Sequence, residues 1–503
     1  MKPGIRNWER LSRAEQEALQ IRRLRRILRT QIIPFSPFYR ARHDRGELDP
    51  DALRTFDDLR RIPFTTKQDL LVTEEHPEGA RDFILQPSEE AIRTRLPLSS
   101  RLAFLARRAL LGKRRLRERL QREYGPQTLL FTTGRSTGSI PFFLTLHDID
   151  VMMEVGRRIV EVLGLQAGHD RVINAFPYAP HLAFWQVAWC GQASGVLTLN
   201  TGGGRIMGSE RMIAAMATLK PTLIVGMPGY FYHVLRMAVA GGADLSSVRL
   251  VALGGENVPR GFRRKVVRLM EQVGASGVRV VSVLGFTEAR QCWTECAGAE
   301  RTGFHTYPDF GLFEIIDPES GERLPDGETG ELVYTSLEGR GSMVVRYRTG
   351  DVVEGGLIRE PCPGCGRTVP RIGSSIRRVS NVKELDIGKV KGALVNLNTL
   401  AEIFTNDDEI EEWQIEIRKR NDDPFDRDEI VLRCALKTGT DAEAFKERIQ
   451  RQVHEKAEVH LDEIAVEDLP VLLKRVGMEK LSKEERIVDR RGRARNRQGS
   501  LER

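Results

Sequence analysis

No apolar run in this 503-residue chain approaches the roughly 18 residues that cross a bilayer, so a membrane span is not expected. The start, Met1-Lys2-Pro3-Gly4, leads into a charged amphipathic stretch and lacks the short apolar core and small-residue cleavage site of a secretory signal, which points to a cytoplasmic protein. Cysteine is scarce. Six residues make no disulfide framework in a chain this long, and metal ligation or plain burial suits them better. Internal repeats are absent. The two basic runs, Arg107–Arg122 and Arg486–Arg503, carry much of the +8 net charge but have no aromatics interleaved. The first reads as a solvated helix face and the second as a basic tail, so nucleic acid is not an expected partner. A basic balance also suits an anionic substrate.

What is present is enough chain for two or more domains, since a single core stops growing at ~250–300 residues. Ser12 and Glu15 form a capping-box pattern ahead of Leu24, Ile27 and Leu28, predicting a helix that Pro34 and Pro37 stop. From about Pro141 to Glu288 helical patterns (Asp150–Leu163, Arg211–Leu219) alternate with short apolar runs at Val172–Phe176, Gly195–Leu199, Leu223–Gly226, Leu250–Leu253 and Val278–Leu284. That rhythm is α/β, with largely parallel strands buried on both faces. Phe313–Asp317 and Glu331–Ser336 then flank the turn signal Pro325-Asp326-Gly327 and predict an antiparallel pair in a β-rich subdomain. Beyond Ile372 a smaller α+β unit is expected, with strands at Trp413–Arg418 and Glu429–Leu436 and a helix at Ala442–Ala457. The division is 1–372 for the large domain, with a basic insertion near 88–125, then 373–485 for the small one and 486–503 for the tail.

Four polar elements follow strand-like runs in order. The first is Thr132-Thr133-Gly134-Arg135-Ser136-Thr137-Gly138, whose glycines allow close backbone approach and whose hydroxyls and amides can bond phosphate oxygens. It is not a Walker loop, because no Gly-Lys-Ser/Thr ends it. By composition alone it is a polar surface turn. Gly254-Gly255-Glu256, Leu284-Gly285-Phe286-Thr287-Glu288 and Arg346-Tyr347-Arg348-Thr349-Gly350-Asp351 complete the series, and strand ends of an α/β sheet are where nucleotides bind. Separately, Cys362-Pro363-Gly364-Cys365-Gly366 is a knuckle whose two thiolates can reach one ion, with Cys296 and His305 as the pair completing a tetrahedral zinc site. Cys292 is an alternative ligand, while Cys190 and Cys434 sit in apolar contexts and read as core.

In that order the four elements resemble the adenylate-forming, AMP-binding superfamily. Ser36-Pro37-Phe38-Tyr39-Arg40 and Leu59-Arg60-Arg61-Ile62-Pro63-Phe64-Thr65-Thr66-Lys67 are similar to the N-terminal region of its phenylacetate–coenzyme A ligase branch. The resemblance runs over most of residues 20–395. It implies that Thr132, Thr133, Gly134, Ser136, Thr137 and Gly138 hold the β- and γ-phosphates of ATP, and that Gly254, Gly255 and Glu256 line the adenine. Gly285 and Phe286 would belong to the same nucleotide-binding set, followed by Thr287 at the α-phosphate, with Glu288 holding Mg²⁺ and Asp351 binding both ribose hydroxyls. His181, in Pro177-Tyr178-Ala179-Pro180-His181, matches the region beside the acyl site. Lys483, ahead of Arg486-Ile487-Val488-Asp489, resembles the adenylation lysine, with Lys480 as a nearby rival. The family also carries Cys and His near Cys296 and His305 with a later cysteine pair.

The implied activity is ATP-dependent activation of a carboxylic acid, most simply an aryl or arylalkyl acid, followed by transfer to coenzyme A. The alternatives are a different acceptor or a non-catalytic nucleotide-binding scaffold. A homodimer stays open. Two departures from the family pattern stand out: Arg135 is interposed in the phosphate loop and Ser139-Ile140 replaces a lysine before Pro141, and Ser374-Ser375-Ile376-Arg377 stands where a ribose-binding Arg and an acidic hinge are expected. A later Lys391-Gly392 resembles the step where the small domain begins.

Overall fold

The computed structural model describes residues 4–74, 77–132, 139–378, 388–390, 393–395, 397–420, 428–457, 459–477 and 485–490. Residues 133–138 and both Lys480 and Lys483 therefore lie outside the described residues, as do 491–503. The first helix, Arg13–Ile27, starts as its capping box requires: Glu15 N–H donates to Ser12 Oγ and Ser12 N–H donates to the Glu15 carboxylate, at 3.4 and 2.8 Å. It does not run to Pro34. The chain passes at Leu28–Ile32 into a π turn, and Pro34 sits inside the short helix Ile33–Phe35. Pro37 opens the next helix, Pro37–Asp44, because a first-turn N–H has no helical partner to lose.

Two short strands, β1 (Thr128–Phe131) and β2 (Pro141–Leu144), form an antiparallel pair that brackets the phosphate-loop sequence. Next comes the central sheet, from β3 (Arg171–Asn174), β4 (Leu197–Asn200), β5 (Leu223–Gly226), β6 (Leu250–Gly254), β7 (Arg279–Phe286) and β8 (Gln291–Thr294), in the order β4-β3-β5-β6-β7-β8. Only β8, at the edge, runs antiparallel. Strands β5 and β6 are buried throughout, which is why their runs read as continuously apolar. Helices Leu146–Leu163, Leu182–Ser194, Pro228–Ala240 and Arg260–Gln272 pack around the sheet. The first begins four residues earlier than its apolar pattern, because Thr145 and Asp148 make a second capping box.

The β-rich part follows as β9 (Phe304–His305), β10 (Gly311–Ile316), β11 (Gly330–Ser336), β12 (Tyr347–Glu354), β13 (Leu357–Ile358), β14 (Arg371–Ile372) and β15 (Ser375–Arg378). The β10–β11 pairing is the expected antiparallel one. Strand β15 closes the sheet β10-β11-β12-β15, with Ser375–Arg378 paired to Asp351–Glu354, so the sheet of the large unit extends through Arg378 rather than ending at 372.

The small unit is built on Ile410–Lys419 and Asp428–Leu436, with the helix Ala442–Ala457 and the strand Glu463–Val466. Ile487–Asp489 is its fourth strand, parallel to Ile410–Lys419. The chain from Arg486 to Arg490 is thus not the start of a free tail. Arg486 pairs with Glu412 and Arg490 with Glu416, which turns two basic residues into sheet anchors. The helix Leu469–Val476 docks the small unit through Leu472 and Val476, which share an apolar cluster with Tyr232, Phe262 and Val266 of the large unit. Glu485 N–H donates to Val476 O, at the end of this helix, at 3.0 Å.

Candidate active site and metal centre

The turns after β5, β6 and β7 leave the same edge of the sheet, because the strands are parallel and in register: Gly226 faces Leu253 and Gly254 faces Val283. Glycine is required there. A Cβ on Gly254 would sit 2.8 Å from Val283 O, and Gly255 has φ +89°, in the left-handed region. The first glycine lets β6 lie close against β7, and the second lets the chain turn sharply at the strand end.

The carbonyl of Phe131, at the end of β1, is a meeting point for residues far apart in sequence. His181 Nδ1 lies 2.9 Å from it and Thr287 Oγ1 donates to it at 3.3 Å. A carbonyl only accepts, so His181 donates from Nδ1. Phe131 N–H in turn donates to Pro180 O at 2.7 Å. Thr132 fixes the loop's base from both sides: its N–H donates to Ile140 O, and its Oγ1 accepts from Ile140 N–H, each at 3.0 Å. The entry to the 133–138 loop, His181 and Thr287 are thereby held together.

Glu288 follows directly, and Tyr347 of β12 donates its hydroxyl to Glu288 Oε1 at 2.9 Å. Strand alternation puts Tyr347, Thr349 and Asp351 on one buried face of β12. Asp351 is only 6% exposed; its N–H donates to Thr349 Oγ1 at 3.1 Å, and that hydroxyl donates to Leu332 O at 2.8 Å. Glu288 and Asp351 are thus referred to the same strand.

A second constellation lies behind this edge. The donor atoms of Cys296, His305, Cys362 and Cys365 all fall within 4.8 Å of one another. Cys296 Sγ is 3.6 Å from Cys362 Sγ, and Cys365 Sγ is 3.3 Å from His305 Nε2. A tetrahedron with zinc–ligand bonds of about 2.0–2.3 Å has edges of roughly 3.5–3.8 Å, so three thiols and one imidazole fit that ion. His305 Nδ1 donates to Thr294 O at 3.1 Å, turning Nε2 toward the cluster. The Cys296 hydrogen bond holds the Cys365 thiol below its usual range, while that same bond and burial push Cys296 up. Burial opposes a charged His305, but its bonds to Cys362 and Cys365 raise it. Two glycines let the loops meet: a Cβ on Gly298 would be 2.0 Å from Gly364 O. Cys292 is not in the group; it is buried in the main core, where desolvation pushes its thiol up.

The family model described as "AMP-binding enzyme" matches residues 149–340. The chain is 28% identical over 378 residues to phenylacetate-coenzyme A ligase of Thermus thermophilus, covering 74% of this chain and 73% of that one. It is 25% identical over 410 residues to phenylacetate-coenzyme A ligase of Escherichia coli K12, covering 81% and 80%. The chain carries the AMP-binding family's pattern over residues 149–340. In fold it matches the crystal structure of 2-hydroxyisobutyryl-CoA ligase in its postadenylation state, with a TM-score of 0.73 at 20% identity over 98% of this chain and 93% of that one.

The segment matched by the AMP-binding model holds His181, Gly254–Glu256, Gly285–Glu288, Cys296 and His305, whereas the 132–138 loop, Asp351, Cys362, Cys365 and Lys483 lie outside it. Sequence reasoning missed three supports of the site. The Phe131 carbonyl is backbone and has no residue-type signal. Tyr347 was within the Asp351 motif, but its partner is 59 positions away. Glu295, fully buried, accepts from Arg263 at 2.8 Å, Ser282 N–H at 2.7 Å and Ser374 Oγ at 2.5 Å. It ties the sheet and a helix to the segment before β15, and only a lone charge in the apolar run Cys292-Trp293-Thr294-Glu295-Cys296 hinted at it.

Proposed function

We propose that the chain is an AMP-forming acid–coenzyme A ligase: it joins a carboxylic acid to ATP as an acyl adenylate, then passes the acyl group to coenzyme A. The convergence of the phosphate-loop base, His181 and Thr287 on Phe131 O carries this reading, supported by the AMP-binding match across the same strand ends. The acid is already a carboxylate at neutral pH and is its own nucleophile, so no strong base is needed. Like charge is the obstacle. The 132–138 loop holds the β- and γ-phosphates, Thr287 the α-phosphate, Gly254–Glu256 the adenine and Asp351 the ribose. The carboxylate of Glu288 and the hydroxyl of Thr287 are hard oxygen donors of the kind Mg²⁺ takes, and that ion would neutralise phosphate charge. Lys483 supplies an ammonium to the same end. The substrate carboxylate oxygen bonds to the α-phosphorus and pyrophosphate leaves; the coenzyme A sulfur then bonds to the acyl carbon, and AMP leaves. His181 sits beside the acyl group. The four-ligand cluster is a closed structural zinc site that fastens the loop after Glu288 to the β-rich part.

ATP–pyrophosphate exchange with a panel of aromatic, arylalkyl and aliphatic acids tests the first step. Exchange with at least one acid, and thioester plus AMP when coenzyme A is added, is the expected outcome. Silence across the panel from folded protein would defeat the reading. Tyr347 positions Glu288, so Tyr347→Phe should raise the Mg²⁺ concentration for half-maximal exchange about fivefold, the equivalent of one hydrogen bond of about 1 kcal/mol. An unchanged Mg²⁺ titration would remove Tyr347 from the site.

A further inference from the structure

The basic insertion folds as one long helix, Leu98–Tyr124, broken in direction by Gly112 at φ +74° and ψ +160°. Its two halves differ. After the break, Leu116 is buried and Leu120 and Tyr124 pack on the main core. Before it, Phe104 turns inward to line a groove of about 440 Å³. The opposite side of that half faces water with large apolar groups: Leu98 is 67% exposed, Leu102 58%, Leu105 55% and Leu110 84%. Leu98, Leu102, Leu105 and Ala109 fall at the i, i+4, i+7, i+11 spacing of one helical stripe. A continuous exposed apolar stripe of this kind marks a surface that something else covers.

The charge of the same helix says what covers it. Residues 98–124 carry nine Arg and Lys against two Glu, and eight of the nine are exposed. A second copy would bring an equally cationic helix against this one, which like-charge repulsion opposes. Nucleic acid would use the charges but has no need of leucines, and the helix offers no exposed aromatic for stacking. A surface with anionic headgroups over an apolar layer satisfies both halves at once: leucines enter the acyl boundary while arginines and lysines meet the headgroups. We infer that the helix Leu98–Tyr124 is a peripheral anchor that binds the protein to membrane surfaces rich in anionic lipid. It lies on the bilayer without crossing it, and no helix among the described residues is long and apolar enough to cross.

Co-sedimentation of the full-length protein with vesicles tests this. Binding to phosphatidylcholine–phosphatidylglycerol vesicles should exceed binding to phosphatidylcholine alone by roughly tenfold or more, and should weaken as salt rises. The double variant Leu102→Glu/Leu105→Glu should lose that binding while melting at the wild-type temperature, since both side chains already face water. Arg114→Glu/Arg115→Glu should bind more weakly at low salt and show a flatter salt dependence. Equal, weak binding to both vesicle types would overturn the inference, as would leucine variants that bind like wild type. A concentration-dependent dimer abolished by the leucine variants would assign the stripe to a second copy instead, and salt-dependent DNA binding without vesicle binding would assign the charges to nucleic acid.

Discussion

Asp351→Ala should lower kcat/KM for acyl-adenylate formation roughly 10²–10³-fold, because one carboxylate that accepts from both ribose hydroxyls contributes about 3–4 kcal/mol. The change should leave the fold intact. Asp351 sits on the interior face of β12, and its backbone is held independently through Thr349 and Leu332. The diagnostic measurement is discrimination between ATP and 2′-deoxy-ATP: wild type should prefer the ribonucleotide strongly, and the Ala variant should nearly lose that preference. A variant that is slow yet still discriminates as wild type does would place the ribose somewhere else. Lys483→Ala and Glu288→Gln should likewise cut adenylation. If both turned over at the wild-type rate, the residue assignments around the phosphates would be wrong.

Stripping the metal should destabilise the large unit more than any single side-chain change at the surface. Protein purified without chelators should carry about one equivalent of zinc, since three thiols and an imidazole at tetrahedral spacing form a closed site of the type worth ~10–16 kcal/mol in isolated zinc peptides. Part of that free energy is offset here by the surrounding core. A residual loss of about 3–5 kcal/mol still corresponds to a fall in Tm on the order of 10 °C. Cys362→Ser should reproduce the drop and release the metal, whereas Cys434→Ala, in the separate core of the small unit, should keep a full equivalent. Less than about half an equivalent in the wild type counts against a zinc site.

The parts of this molecule legible in its sequence are those governed by local pattern. Strand Leu223–Gly226 and helix Ala442–Ala457 fall where their periodicity puts them, because burial on both faces and a single apolar stripe leave direct traces. The four metal-type residues were also readable, since thiols and imidazole at knuckle spacing have few other uses. What the sequence hid depends on three-dimensional neighbours. Thr145 moved the start of its helix ahead of the apolar pattern, because a cap is made by hydrogen bonds rather than by hydrophobicity. The division at 372 puts strand β15 in the small domain, because its pairing with β12 is decided by register, not by composition. The Phe131 carbonyl, which gathers His181 and Thr287, belongs to a peptide group that every residue possesses. The run Arg107–Arg122 reads as a solvated helix face, and only the fold shows which leucines of that helix have a neighbour: Leu116 is buried, whereas Leu105 and Leu110 face water.

The bond from Glu485 N–H to Val476 O couples two parts of the small unit to each other. Glu485 O accepts from Gln414 at 2.6 Å, and the strand two residues further on is stitched to Ile410–Lys419. Val476 belongs to the helix whose Leu472 and Val476 share an apolar cluster with Tyr232, Phe262 and Val266 of the large unit. Sheet and docking helix are thereby yoked, so any swing of the small unit has to carry both together and peel those two side chains off the large unit.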